Sequence, residues 1–265
     1  MRFVRVFSAL VIAAAFVTTA VAQDAKPWER QGSRAGEEIF GPDGGKMVWV
    51  PAGAFTMGSN DGAAKEKPEH RVQISRGFWL GKCEVTVEQW LRYCRKAQVL
   101  LQANIIAPTN DHPMMGANFS DVAAYCRFYG LTLPTEAQWE YAARGAEGRQ
   151  YPWGNEWDES KCCNNDNAGP TAATFPVGTF PQGASWCGAL DMAGNLAEWC
   201  NDWYAADYYA HSPQDDPKGP ETGTERVQRG GYCFGDAEEC RSAYRFSDDP
   251  GNRDGAGGLR MCWTP

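Results

Sequence analysis

From about residue 150 onward the chain never holds a helical period for long. Pro, Gly, Asn and Trp interrupt it every few residues, as in Tyr151-Pro152-Trp153-Gly154-Asn155. The 29 glycines and 16 prolines are spread along the chain, and punctuation of that density favours turns and short strands over long helices. Hydrophobic residues make up 43% and charged residues 22%, which is ordinary globular usage and excludes wholesale disorder or a fibrous repeat. No internal repeat or low-complexity linker follows residue 46. The expected architecture is one α+β domain with short strands, about three helices and long loops.

The first 22 residues read as a separate object. Arg2 and Arg5 precede an almost unbroken apolar run from Val6 to Val17, and Ala20-Val21-Ala22 supplies a small-x-small cleavage site. That pattern is a secretory signal peptide, so a periplasmic or secreted location is expected. No other stretch approaches the 18 or so apolar residues of a spanning helix, and no membrane insertion is expected after cleavage. A net charge of −8 offers no footprint for nucleic-acid phosphate, so no nucleic-acid partner is expected. Residues 23–45 read as a polar, Gly-rich extended arm and residues 46–265 as the folded domain, expected to be a monomer.

Within that domain Met47–Val50 reads as a strand stopped by Pro51, Phe55–Ser59 as a second, and Val72–Leu80 as a third with alternating pattern. Three helices announce themselves by their caps. Thr86 with Gln89, and Thr135 with Gln138, have capping-box spacing; Ser120-Asp121 opens the helix between them, which Gly130 ends. Arg144-Gly145 closes the last one.

Ten cysteines follow the leader. In an exported chain an even number points to a disulfide framework, and the CxxC pairs or His-rich spacing of a metal site are missing. Cys162 and Cys163 are adjacent and do not easily bridge to each other, so each either pairs elsewhere or stays a thiol. No GxSxG, HExxH, GxGxxG or P-loop is present. His70, His112 and His211 are scattered and read as surface or loop residues.

A set of blocks in fixed order carries more information. They are Met47-Val-Trp-Val-Pro-Ala-Gly-Ala-Phe-Thr-Met-Gly58, Glu84-Val-Thr86, Leu133-Pro-Thr-Glu-Ala-Gln-Trp-Glu-Tyr-Ala-Ala-Arg-Gly145 and Tyr151-Pro-Trp-Gly-Asn155. Pro176-Val-Gly-Thr-Phe-Pro181, Leu190-Asp-Met-Ala-Gly-Asn-Leu-Ala-Glu-Trp199, Arg229-Gly-Gly231, Arg241-Ser-Ala243 and Gly258-Leu-Arg260 follow. Together they resemble the formylglycine-generating enzyme, or sulfatase-modifying factor, family. The resemblance runs from about 46 to 263 and implies a C-type-lectin-like α+β fold with few regular elements.

It also implies chemistry. Founding members resemble a copper-dependent oxidase whose two thiolates, spaced Cys-x4-Cys after a Gly-Gly, hold Cu(I). Here the loop after Gly230-Gly231 carries Cys233 and Cys240, spaced Cys-x6-Cys, and the first catalytic position falls on Gly235. Cys233 and Cys240 are therefore either a displaced redox or copper pair or disulfide cysteines. The resemblance further implies calcium at Asn195 and Glu198, a second calcium loop near Asn164 that lacks its usual Asp, a Cys126–Cys262 disulfide offset by one residue, and a weaker Cys187–Cys200 pair. Trp199, Tyr232, Arg241 and Arg245, with Cys233, are expected to line a substrate groove. The missing pair and the export signal fit a branch resembling the periplasmic pyoverdine-maturation proteins. The implied function is an oxidase-type modification of a peptide or peptide-derived metabolite. A non-catalytic, lectin-like binding module is the alternative.

Overall fold

The computed structural model describes residues 26–100, 109–168, 174–253 and 257–265; the signal peptide expected at 1–22 lies outside them. A four-stranded antiparallel sheet is built from β1 (Glu38–Phe40), β2 (Lys46–Val50), β5 (Phe78–Gly81) and β10 (Cys262–Trp263), in that order across the sheet. The hairpin of β3 (Gly53–Met57) and β4 (His70–Ile74) leaves it, and three helices follow: α1 (Val87–Ala97), α2 (Phe119–Tyr129) and α3 (Glu136–Arg144). A second four-stranded sheet has the order β8 (Arg245–Asp248), β7 (Arg226–Arg229), β6 (Ala197–Trp203) and β9 (Gly257–Gly258), with β6 and β9 parallel. This is the α+β architecture the sequence led us to expect. Among the described residues no helix is long and apolar enough to cross a membrane.

The helix boundaries follow their caps. The Thr86 and Thr135 side chains accept from the amides of Gln89 and Gln138, which reach back to complete two capping boxes. The middle helix starts two residues earlier than expected. Asn118, not Ser120, accepts the Asp121 amide, because an Asn followed three residues later by an acid completes the same reciprocal pair. Gly130 ends this helix in the left-handed region, at φ 69°.

Two strand expectations need correction. Val72–Leu80 is not one strand: the chain leaves β4 after Ile74 and enters β5 at Phe78. Between them a Cβ on Gly77 would stand 2.3 Å from the Trp49 ring, so the crossing requires glycine. The arm at 23–45 is not wholly an arm either. β1 pairs Glu38 with Val48 and Phe40 with Lys46, and the Trp79 indole donates to the Arg30 carbonyl at 2.8 Å. The folded unit therefore starts ahead of Lys46.

Helix α3 packs on β3, β4, β6 and β7, and its acidic face is buried between them. Glu140 accepts from Arg229 of β7 at 2.5 Å, from Arg144 at 2.9 Å and from the Gly58 amide at 2.8 Å. Glu136 accepts from Arg229 at 3.2 Å, from Arg245 of β8 at 2.7 and 3.0 Å and from the Tyr209 hydroxyl at 3.1 Å. The terminal nitrogens of Arg229 also donate to the Ser242 and Ala243 carbonyls. Burial without compensation would make each of these charges costly, and the mutual pairing is what makes the interior tolerable.

Removing one member strands the others. Arg229→Met is expected to lower stability by about 3–5 kcal/mol, because Glu140 and Glu136 then share too few donors; urea unfolding with an unchanged midpoint would refute this. Asp202 beside them accepts the Glu136 amide at 2.9 Å, and burial, reinforced by the Glu136 charge, raises its carboxyl to about 8. Because the folded form holds the proton more tightly, stability falls as pH rises from the ordinary Asp range toward 8, by about 1.4 kcal/mol for each tenfold gain in proton affinity. Asp202→Asn is expected to flatten that slope in denaturation curves between pH 5 and 8; a slope equal to the parent's would remove Asp202 as its source.

Candidate functional site

The loop after β7 begins with two residues that only glycine tolerates well. Gly230 and Gly231 have φ of 104° and 78°. A Cβ on Gly230 would sit 3.1 Å from the Trp139 ring, and one on Gly231 would sit 3.2 Å from the Cys240 sulfur. The Gly-Gly therefore folds the 231–240 loop back so that Cys240 lies under its own start. Tyr232 and Phe234 are carried outward, and Phe234 is 52% exposed.

The two loop cysteines do not converge on one another. Cys233 hydrogen-bonds Cys163, and Cys240 hydrogen-bonds Cys162. All four are buried. In each pair one sulfur accepts: the bond from Cys240 lowers the Cys162 thiol pKa, and the bond from Cys163 lowers that of Cys233, while their donors are pushed up. A Cu(I) dithiolate needs two thiolates facing one point, and Cys233 and Cys240 turn to different partners. Among the described residues no group of three or more His, Cys, Asp or Glu could hold a metal ion. The arrangement of these two cysteines does not fit copper.

Of the four residues expected to line a groove, Arg241 borders a cleft, and Tyr232 belongs to an aromatic cluster that is not part of that cleft's lining. Tyr232 is half-buried beside Phe234 and Phe246, with ring centroids 6.0 and 5.6 Å away, and Tyr244 packs against Phe246 at 4.6 Å with the rings tilted by 53°. The Lys65 ammonium lies 4.1 Å from the Tyr244 ring, and its pKa is lowered, first by burial. Arg241 borders a polar cleft of about 460 Å³ together with Arg144, Gln150, Asp61, Glu69 and Glu238. Buried Glu66 holds Arg241 in a two-pronged pair at 2.7 and 2.8 Å, which keeps the guanidinium charged and raises its pKa. Arg144 donates to the carbonyls of Gly58 and Gly148 as well as to Glu140. Its buried Nε has no acceptor among the described residues.

Trp199 and Arg245 are corrections. Trp199 is 1% exposed and donates to the Ala117 carbonyl, and Arg245 is fully buried on Glu136. Successive residues of a strand face opposite ways. Tyr244 and Phe246 point to the aromatic wall, so Arg245 between them points into the core.

The other expectations from the resemblance meet similar geometry. Asn195, at φ 62°, accepts the Phe175 amide with Oδ1 and donates to Glu84 at 2.7 Å. Both Glu198 oxygens accept from Arg260, and one also from the Trp139 indole at 2.8 Å. A calcium ion at this pair would have to displace the arginine that already neutralises Glu198, so these two residues do not fit the metal as arranged. Glu84, nearby, is pushed well above the usual carboxylate range, first by burial and then by Asp191 and Glu198. Asn164 in the other expected calcium loop spends its side chain on the carbonyls of Glu159 and Cys162 and on the Asp166 amide.

Cys126 meets the thioether of Met261 at 3.8 Å, while Cys262 turns to Gln138 at 3.7 Å. The one-residue offset of this ending puts methionine where a pairing cysteine was expected, and Cys262 on the opposite face. Cys187 and Cys200 are likewise unbonded: the first donates to the Ala142 carbonyl at 3.5 Å and the second to that of Glu198 at 3.9 Å. His112, expected on the surface or in a loop, lies in a loop and is buried, with Nδ1 against the Thr174 hydroxyl at 2.9 Å.

Comparison with known proteins places this geometry. Residues 38–265 match the sulfatase-modifying factor enzyme 1-like domain. The chain belongs to that family. Over 166 residues it is 40% identical to the formylglycine-generating enzyme of Streptomyces coelicolor, covering 57% of this chain and 52% of that protein. A stretch of 240 residues is 34% identical to the serine/threonine-protein kinase Pkn1 of Chlamydia trachomatis, covering 81% of this chain and 38% of the kinase; the chain thus spans under two-fifths of that relative's length. Among solved structures it is similar to PvdO from Pseudomonas aeruginosa, with a TM-score of 0.77 and 26% identity over 88% of this chain and 100% of that one.

In this member of the sulfatase-modifying factor family, sequence reasoning missed Arg144, Glu66, Lys65, Tyr244 and Phe246. The alternation of Tyr244-Arg245-Phe246 could have revealed the wall. Glu66, 175 residues from Arg241 in sequence, left no local signal. Glu66→Gln keeps the shape but weakens the charge-assisted pair, and a loss of about 1–3 kcal/mol is expected; an unaltered urea midpoint would show that Arg241 is held by other means.

Proposed function

We propose that this chain is an exported, monomeric formylglycine-generating-enzyme-like protein that binds a peptide or peptide-derived metabolite and modifies it in an oxidase-type reaction of the siderophore-maturation kind. The observation that carries the reading is a polar cleft of about 460 Å³ bordered by two arginines, Arg144 and Arg241. Guanidinium groups at a cleft wall favour charge-assisted hydrogen bonds, and a peptide carbonyl or carboxylate is the complement they suit. Asp61, Glu69 and Glu238 on the rim suit the amide or ammonium groups of the same ligand. The Tyr232, Phe234, Tyr244 and Phe246 rings supply apolar faces for side chains or a chromophore. The likeness to PvdO supports the siderophore-type branch.

A second reading, a lectin-like module without chemistry, is favoured by one observation: both sulfurs of the 231–240 loop are held by Cys162 and Cys163. Fold alone does not decide between them.

The test titrates the full mature chain with an unoxidised peptide siderophore precursor and with an unmodified sulfatase peptide, following Trp fluorescence and oxygen uptake. Saturable binding with oxygen uptake is expected for the first ligand. Binding without uptake would select the module reading, and no binding of either ligand would overturn the groove. Phe234→Ala, at an exposed position that does not endanger folding, is expected to weaken binding about 3- to 10-fold, the worth of one aromatic contact. An unchanged affinity would move the ligand off the wall.

A further inference from the structure

Residues 162–165 lie beside the 231–240 loop along their whole length. Cys163 bridges Gly194 in parallel, and a Cβ on Gly194 would stand only 1.7 Å from the Cys163 carbonyl oxygen, so glycine alone permits the approach. The Asn195 amide then donates to the Cys163 carbonyl at 3.0 Å, and the Cys233 amide to the Asn195 carbonyl at 2.9 Å. These bonds align Cys163, Asn195 and Cys233 on three neighbouring backbone runs. Further along, the Asn165 amide donates to the Gly235 carbonyl at 3.1 Å.

Cys162 is extended, at φ −151° and ψ 164°. In extended backbone consecutive side chains point to opposite sides, which turns the adjacency of Cys162 and Cys163 from an obstacle into a device. One sulfur goes to each side. Cys163 faces Cys233, and Cys162 faces Cys240 in a small buried cluster with Ala193, against which Trp153 and Trp157 pack.

We propose that the vicinal cysteines form two parallel disulfides, Cys162–Cys240 and Cys163–Cys233, that rivet the 231–240 loop to the 162–165 segment. Each forms by thiol–disulfide exchange with a small-molecule disulfide or an exchange enzyme of the exporting compartment. A protein thiolate attacks the donor disulfide, giving a mixed disulfide and one reduced donor thiol. The partner cysteine then displaces the second donor thiol. Each pair thus loses two electrons and two protons, and one donor disulfide becomes two thiols. The rivets would fix the loop that carries Tyr232 and Phe234 and adjoins Arg241, and would take its sulfurs out of any metal or redox chemistry.

The test reads sulfur alone and is independent of ligand binding. The full mature chain, exported or refolded with oxidised glutathione, is unfolded in alkylating reagent and its thiols counted. Electron-transfer fragmentation of Glu-specific digests, which separate Cys233 from Cys240, maps the links in the unaltered protein, so no variant has to fold for the answer. The register is then tested by paired substitutions. C163S with C233S, removed together, is expected to add no thiol over the parent. C162S with C233S is expected to add two, because Cys163 and Cys240 are left without partners. Four alkylated cysteines at these positions in the parent would overturn the proposal, as would a crossed variant that adds no thiol. A peptide that fails to bind would overturn the groove and leave the links standing, so the two failures are separable.

Discussion

The buried ion network around α3 is the interaction on which the other parts depend. Three residues of one helix face, Glu136, Glu140 and Arg144, meet Arg229 from β7 and Arg245 from β8. A network of this kind contributes modest net stability, since desolvation offsets most of the attraction. Its effect is on register. Arg229 and Arg245 face each other across β7 and β8, and neither strand can slip without leaving a buried charge unpaired. In a chain with such short strands, backbone hydrogen bonds alone specify register weakly. The arginines supply what strand length does not.

That constraint reaches the cleft directly. Arg144 belongs to the network through Glu140 and also borders the cleft. Arg241 lies four residues before Arg245 and faces the cleft, while Arg245 faces the core. The segment 241–245 is therefore pinned at one end by Glu66 and at the other by Glu136, with Tyr244 held between and Phe246 directly after the second pin. A groove on loops normally inherits the mobility of loops. Here its walls are attached at short intervals to the buried charges of the interior.

Much of the fold was legible because caps are local. Thr86, Thr135 and Gly130 carry their own geometry in the neighbouring three or four residues, and the apolar run at β2 is ended by a proline. Long-range pairings were illegible for the same reason. Nothing near Arg245 in sequence announces Glu136, 109 residues away, so an arginine in a block beside the Gly-Gly loop read as a groove residue. Trp199 misled in the same way, since aromatic content does not say which face of β6 is buried. The Cys126–Cys262 expectation failed on parity. An offset of one residue is small in sequence and a reversal of side in a strand, and Met261 occupies the position that faces Cys126.

The cysteines show why residue type and spacing together still underdetermine chemistry. Cys233 and Cys240 follow a Gly-Gly in a loop where the family resemblance implies a thiolate pair, and from sequence either role was open. What decides is the segment 162–165, a neighbour only in space. It approaches because Gly194 has no side chain to exclude the Cys163 carbonyl, and because an extended Cys162 divides two adjacent sulfurs between two partners. Two thiolates that shared one point could hold a soft metal. Four thiols split into two opposed pairs satisfy one another instead of turning to a common point.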